Sequence, residues 1–273
     1  AHWYAYVISF ICAGSLAIIR KTFYYKGFFK VICWILAFII PLTTMVYLRS
    51  EKNVSTRGVL TREGIGYITR LPSLSEGRMV FTGADLVENL HYWKAPRGYT
   101  LQSIEENGLY MELLTDDNSD NENIILHFHG GGYIISFMDV YRHTALKYSK
   151  ASGGASVLSI DYKTAPEHTF PAALDDAMLS WEWLLDNGYS PENIVVAGDS
   201  AGGNLALALT AKLRDENRSL PRALVLMSPW TDMAGQGESY LYNQNRDPIF
   251  GNKNGIVNNN DKESNLYAGD TNL

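Results

Sequence analysis

Residues 194–203 read Ile194-Val195-Val196-Ala197-Gly198-Asp199-Ser200-Ala201-Gly202-Gly203. Four apolar residues suit a buried strand. The run Ala201–Arg214 that follows suits a helix, and Gly198-Asp199-Ser200-Ala201-Gly202 between them is a G-x-S-x-G. Glycines on both sides of the serine permit a sharp strand-to-helix turn, which lifts the hydroxyl clear of the sheet. The helix N-terminus then offers backbone N–H groups and a positive dipole to developing negative charge. An ordinary glycine turn with a capping serine is the plainer alternative. The strand before and the helix after favour an exposed nucleophile.

Upstream, Ile124-Ile125-Leu126 leads into His129-Gly130-Gly131-Gly132-Tyr133. Three consecutive glycines cost backbone entropy, so the run needs a reason. One reason is an oxyanion hole, because bare N–H groups approach a carbonyl oxygen closely only where no side chain intervenes. A flexible loop is an alternative. A phosphate cradle would want a G-x-x-x-x-G-K pattern, and none is present.

The same alternation extends along the chain. Strands are expected at 100–105, 109–115, 123–128, 156–161, 193–198 and 223–228. A helix is expected at 171–187, with Pro171 in its first turn and Gly188 beyond its end. Leu174, Ala177, Met178, Trp181, Leu184 and Leu185 form its apolar stripe. A second helix is expected at 201–214. Short strands alternating with helical patterns predict an α/β fold, a mostly parallel sheet with helices on both faces. Residues 234–273 are rich in Asn and Gly and read as a long excursion or frayed end.

Taken together, the HGGG and GDSAGG motifs resemble the α/β-hydrolase fold, and within it the hormone-sensitive-lipase-like carboxylesterases. Asp161–Asp176 (DYKTAPEHTFPAALDD) is similar to a segment of that family, and so is Ser228-Pro229-Trp230-Thr231-Asp232. The resemblance covers about residues 80–250. It implies that Ser200 is the nucleophile and that the N–H groups of Gly131, Gly132 and Ala201 stabilise the oxyanion. His129 and Gly130 would support the glycine loop. It implies no metal and no organic cofactor.

Where this chain departs from the family is equally informative. In this fold the triad runs Ser, then Asp or Glu, then His. No histidine follows Ser200; the six are His2, His91, His127, His129, His143 and His168. The chain therefore reads as incomplete at both ends, with the last strands, the triad acid and the triad histidine beyond Leu273, and as catalytically weak in the form given. His127 and His129, two apart on a strand, share a face. His168 falls in the segment the family uses structurally. Asp232 follows strand 223–228, where either a triad acid or a turn-capping residue fits.

Composition narrows the function classes further. At 273 residues, 46% apolar and 12% aromatic, the chain is neither disordered nor a small disulfide scaffold. Residues 3–19 and 31–48 are uncharged runs close to the length of a membrane-crossing helix. Between them RKTFYYKGFFK carries four cations and no acid, which favours a cytoplasmic loop and places the following body outside the cytoplasm or in a lumen. Residues 1–58 hold seven Lys or Arg and one acid, so the remainder is strongly acidic within a total of −6. An acidic body repels phosphate backbones and argues against nucleic-acid binding. Both cysteines, Cys12 and Cys33, lie in the apolar region, which leaves the body no disulfide and no thiol nucleophile.

The expected organisation is a two-helix membrane anchor over 1–48, a linker and cap-like segment over 49–98, and a hydrolase domain over 99–273. The expected function is a membrane-anchored serine carboxylesterase or lipase-like hydrolase acting on small-molecule or lipid esters. A non-catalytic hydrolase-like binding protein and a serine peptidase are the competing readings. The HGGG-type loop argues against the peptidase.

Overall fold

The computed structural model describes Ser55, Gly58, residues 93–243 and residues 267–269. The runs 3–19 and 31–48 lie outside the described residues, as does most of the 49–98 segment. Among the described residues no helix is long and apolar enough to cross a membrane.

Among the described residues six strands form one sheet: β1 (Tyr99–Glu106), β2 (Leu109–Asp116), β3 (Ile124–Phe128), β4 (Ser156–Asp161), β5 (Ile194–Asp199) and β6 (Ala223–Met227). Their order is β1-β2-β4-β3-β5-β6. β3, β4, β5 and β6 run parallel, while β1 and β2 form an antiparallel hairpin whose second strand pairs antiparallel with β4. All six strands fall within a residue or so of their expected bounds. The helices are α1 (Asp139–Ala151), α2 (Ala172–Asp186), α3 (Ala201–Asp215) and α4 (Glu238–Asn243), with a 3₁₀ turn at Pro191–Asn193.

Strand alternation divides the sheet into two faces. Ile124, Leu126 and Phe128 of β3 join Trp181 and Leu184 of α2 and Leu205 and Leu209 of α3 in one fully buried cluster. Ile125, Val157 and Ala197 face the other way, with Ala145 of α1. Helix α1 was not expected from the sequence. Its buried residues are only Ala145 and Ser149, so it shows no apolar stripe. Ala145, Leu146 and Tyr148 pack on the sheet, and a polar contact adds to them: the Arg142 guanidinium grips the buried Glu112 carboxylate through two bonds of 2.7 and 2.8 Å.

The strand β6 has β5 as its one described neighbour. Leu224 and Leu226 pack on the α3 side, whereas Val225 and Met227 are each 42% exposed. Of the 234–273 stretch, residues 234–243 and 267–269 are described, and these are more ordered than an excursion or frayed end. They include α4, and Tyr267 and Ala268 are buried.

Candidate active site

Ser200 stands between β5 and α3 with φ 52° and ψ −119°, outside the regions an L-residue ordinarily adopts. Three backbone bonds hold it there. Its N–H donates to the Met227 carbonyl at the end of β6 (3.0 Å). Its carbonyl accepts from Asn204 N–H (3.1 Å) and from Trp230 N–H (2.9 Å). The turn also needs its glycines. A Cβ at Gly198 would sit 2.3 Å from the Gly202 carbonyl oxygen, and one at Gly202 would sit 2.1 Å from that of Phe128. Only bare backbone lets α3 start this close to the end of β3.

The glycine loop leaves the end of β3 and meets the serine turn directly. Gly130 N–H donates to Asp199 Oδ1 (3.1 Å). A Cβ at Gly130 would lie 2.3 Å from the other carboxylate oxygen, so this contact too demands glycine. Burial raises the Asp199 pKa, and the Gly130 N–H opposes that shift. Gly131 and Gly132 follow at φ 120° and 63°, and Tyr133 itself is at 61°. The loop is tied down by Ile134 and Ile135 N–H, both donating to the Gly131 carbonyl at 3.1 Å.

The Asp161–Asp176 segment supports this loop from beneath. Asp161 Oδ1 accepts from Phe137 N–H (3.0 Å). The Tyr162 hydroxyl donates to the His129 carbonyl (2.7 Å), and Ala165 N–H donates to that of Tyr133 (2.8 Å). Asp176, buried on α2, receives Lys163 N–H and Nζ at 2.8 and 2.6 Å. From the other side, the Tyr133 hydroxyl donates to Asn204 Oδ1 in the first turn of α3 (2.7 Å).

His129 lies within this scaffold. Its ring stacks on Tyr162 at 4.2 Å and 9°, with Tyr141 and Phe137 around it. Its Nδ1 is 2.7 Å from the Gly130 carbonyl, which can only accept, so Nδ1 carries the proton. Burial lowers its pKa to about 4, with the Gly130 bond opposing. His127 is fully buried against Ser159 Oγ (2.9 Å) and the Tyr148 ring. Its pKa falls to about 3 through burial and then through the neighbouring His129. Both rings lie under α1, each with its own partners. Among the described residues no group of His, Cys, Asp or Glu side chains forms a metal site.

The remaining candidates sit apart. His168 and His143 are exposed, the latter edge-on to Trp93. Asp232 caps a turn: its Oδ2 accepts Gly237 N–H (2.7 Å), and its carbonyl accepts the Tyr240 hydroxyl (2.8 Å). The parts played by Tyr141, Tyr162 and Asn204 have no signature in the sequence. They act across gaps of 11, 33 and 71 residues, and no local spacing announces such a bond.

A family model described as alpha/beta hydrolase fold matches residues 125–261, half of the chain. The chain belongs to this family. Among curated relatives, an acetyl-hydrolase of Streptomyces hygroscopicus is 40% identical over 126 residues, 46% of this chain and 42% of its own. An esterase of Acinetobacter venetianus is 38% identical over 128 residues, again 46% and 42% of the two chains. The crystal structure of EstE7, a hormone-sensitive-lipase homologue from a metagenome library, superposes with a TM-score of 0.66 at 26% identity. That match covers 78% of this α/β hydrolase and 68% of EstE7. The chain thus spans less than half the length of the curated relatives it matches.

Proposed function

We propose that this α/β hydrolase is a membrane-anchored serine carboxylesterase or lipase-like enzyme that cleaves acyl or acetyl esters through an acyl-enzyme. The observation that carries the reading is the bond between Gly130 N–H and the Asp199 carboxylate, which fixes the glycine loop beside a strained Ser200. Ser200 Oγ attacks the ester carbonyl carbon and gives its proton to a general base. The carbonyl oxygen takes the negative charge, facing the N–H groups of Gly131, Gly132 and Ala201. Collapse expels the alcohol, which takes the proton from the base, and water then repeats the sequence on the acyl-serine.

The base is not among the residues gathered here. His129 and His127 are buried, neutral and committed to other partners. No histidine follows Ser200, so residues 1–273 alone should turn over esters several orders of magnitude more slowly than a complete triad. The apolar runs 3–19 and 31–48 support an anchor, with the hydrolase body outside the cytoplasm or in a lumen. Protease added to intact cells should then degrade a body outside the cytoplasm, whereas a lumenal body in sealed vesicles should resist until detergent is added. For the chemistry, the full-length protein should hydrolyse p-nitrophenyl acetate or butyrate, and Ser200→Ala should abolish it. Undiminished turnover in that variant would overturn the assignment.

A further inference from the structure

We propose that Tyr141 of α1 is a positioning residue that aims the Gly131 N–H at the oxyanion, acting through the carbonyl of Gly130. The inference rests on the reading of Gly131 as an oxyanion donor. The Gly130–Gly131 peptide is trans and planar, so its C=O and its N–H point in opposite directions. Whatever fixes the Gly130 carbonyl therefore fixes the direction of the Gly131 N–H. Two donors occupy that carbonyl: the Tyr141 hydroxyl at 3.1 Å and His129 Nδ1 at 2.7 Å. A carbonyl has two lone pairs, so both are engaged.

The next peptide is held in the same way, since the Gly131 carbonyl accepts from Ile134 and Ile135 N–H. That pair is main-chain and indifferent to side chain. The Gly130 carbonyl is the one whose orientation depends on side chains, and Tyr141 is the one of its two donors that comes from outside the loop. Glycine leaves the loop little intrinsic preference of its own, so external bonds must supply the orientation. Tyr141 is well placed to be rigid, because its neighbour Arg142 clamps α1 to Glu112 on β2. Burial and the nearby Asp199 carboxylate hold the phenol up to about 12, so it remains a donor at any physiological pH.

The test is Tyr141→Phe, which removes the hydroxyl and keeps the ring. The chain contains four Gly–Gly peptides: 130–131, 131–132, 153–154 and 202–203. Growth with carbonyl-¹³C, ¹⁵N glycine therefore leaves four cross-peaks in an experiment correlating each amide with the preceding carbonyl. The variant should shift or broaden the 130–131 peak and leave the 153–154 and 202–203 peaks in place. Gly154 N–H donates to the Ser149 carbonyl of α1, so its peak reports any displacement of that helix. An unmoved 130–131 peak, or a change equally large at 153–154, overturns the proposal. In the full-length protein, the kcat of p-nitrophenyl butyrate hydrolysis should fall about tenfold with KM within about twofold, less than the loss of a whole oxyanion donor. Full kcat in Tyr141→Phe, beside abolished turnover in Ser200→Ala, would sink Tyr141 and spare Ser200. Turnover surviving Ser200→Ala would sink the nucleophile instead, while the glycine spectra still judge Tyr141.

Discussion

The seam where the end of β3 meets the start of α3 and the outer strand β6 belong to one sheet but are built by opposite rules. At the seam, backbone touches backbone. Cβ atoms at Gly198 and Gly202 would strike carbonyl groups, and one at Gly130 would strike the Asp199 carboxylate. Along β6, alternate residues face solvent, with Val225 and Met227 each 42% exposed. The contrast shows where this sequence spends its specificity. Strained torsions at Ser200 persist only where the surroundings over-determine them, and the seam supplies those surroundings.

Substitutions should sort by this difference. The largest effect should come from Gly202→Ala, whose new methyl would meet two main-chain carbonyls, those of Phe128 and His129, at 2.1 and 2.5 Å. Neither oxygen can rotate away, so the loss should exceed about 4 kcal/mol. Denaturant unfolding would read this directly, and a variant of ordinary stability would show that the seam is slack.

Acid should act on the same region. Burial holds His127 at about 3 and His129 at about 4, both below the ordinary 6.5. The unfolded chain therefore binds more protons between those values and pH 6.5. Stability from the two neutral rings is complete above about 6.5 and is lost as pH falls toward 4 and then 3, by up to ~1.4 kcal/mol per pH unit for each. Unfolding midpoints at pH 7 and pH 5 should differ, and His127→Gln should flatten that dependence. An unchanged slope in His127→Gln would mean that the ring is hydrated.

Smaller again is Asp199→Ala, which leaves the Gly130 N–H without its acceptor, at about 1–3 kcal/mol. On the outer strand, Val225→Thr should stay within about 0.5 kcal/mol, as exposed substitutions do. A larger cost there would mean that this face of β6 is covered after all.

Much of the fold was legible because its signals are local. An apolar strand, a G-x-S-x-G and the helical run that follows place β5, the turn and α3 to within a residue. The stripe from Leu174 to Leu185 does the same for α2. Helix α1 escaped because few of its residues are apolar and buried, and the ion pair of Arg142 with Glu112 that helps hold it to the sheet has no periodic signature. Tyr267 escaped for a different reason: the polar, Asn- and Gly-rich sequence around it carries no apolar period, yet its ring stacks on Tyr133 at 3.8 Å. The glycines of the site were legible as glycines. The groups that orient them, Tyr141, Asp199, Tyr162 and Asn204, were not, because long-range hydrogen bonds follow from the fold rather than from spacing.

Ser200 as the attacking group is the claim on which the rest depends. The full-length protein should be mixed with p-nitrophenyl butyrate, quenched in acid within the first turnovers, digested and mapped by mass spectrometry. A butyryl group should appear on the peptide that contains Ser200 and should be absent from the Ser200→Ala protein. Butyrylation of a different residue, or rapid hydrolysis with no acyl group on the chain, would contradict it.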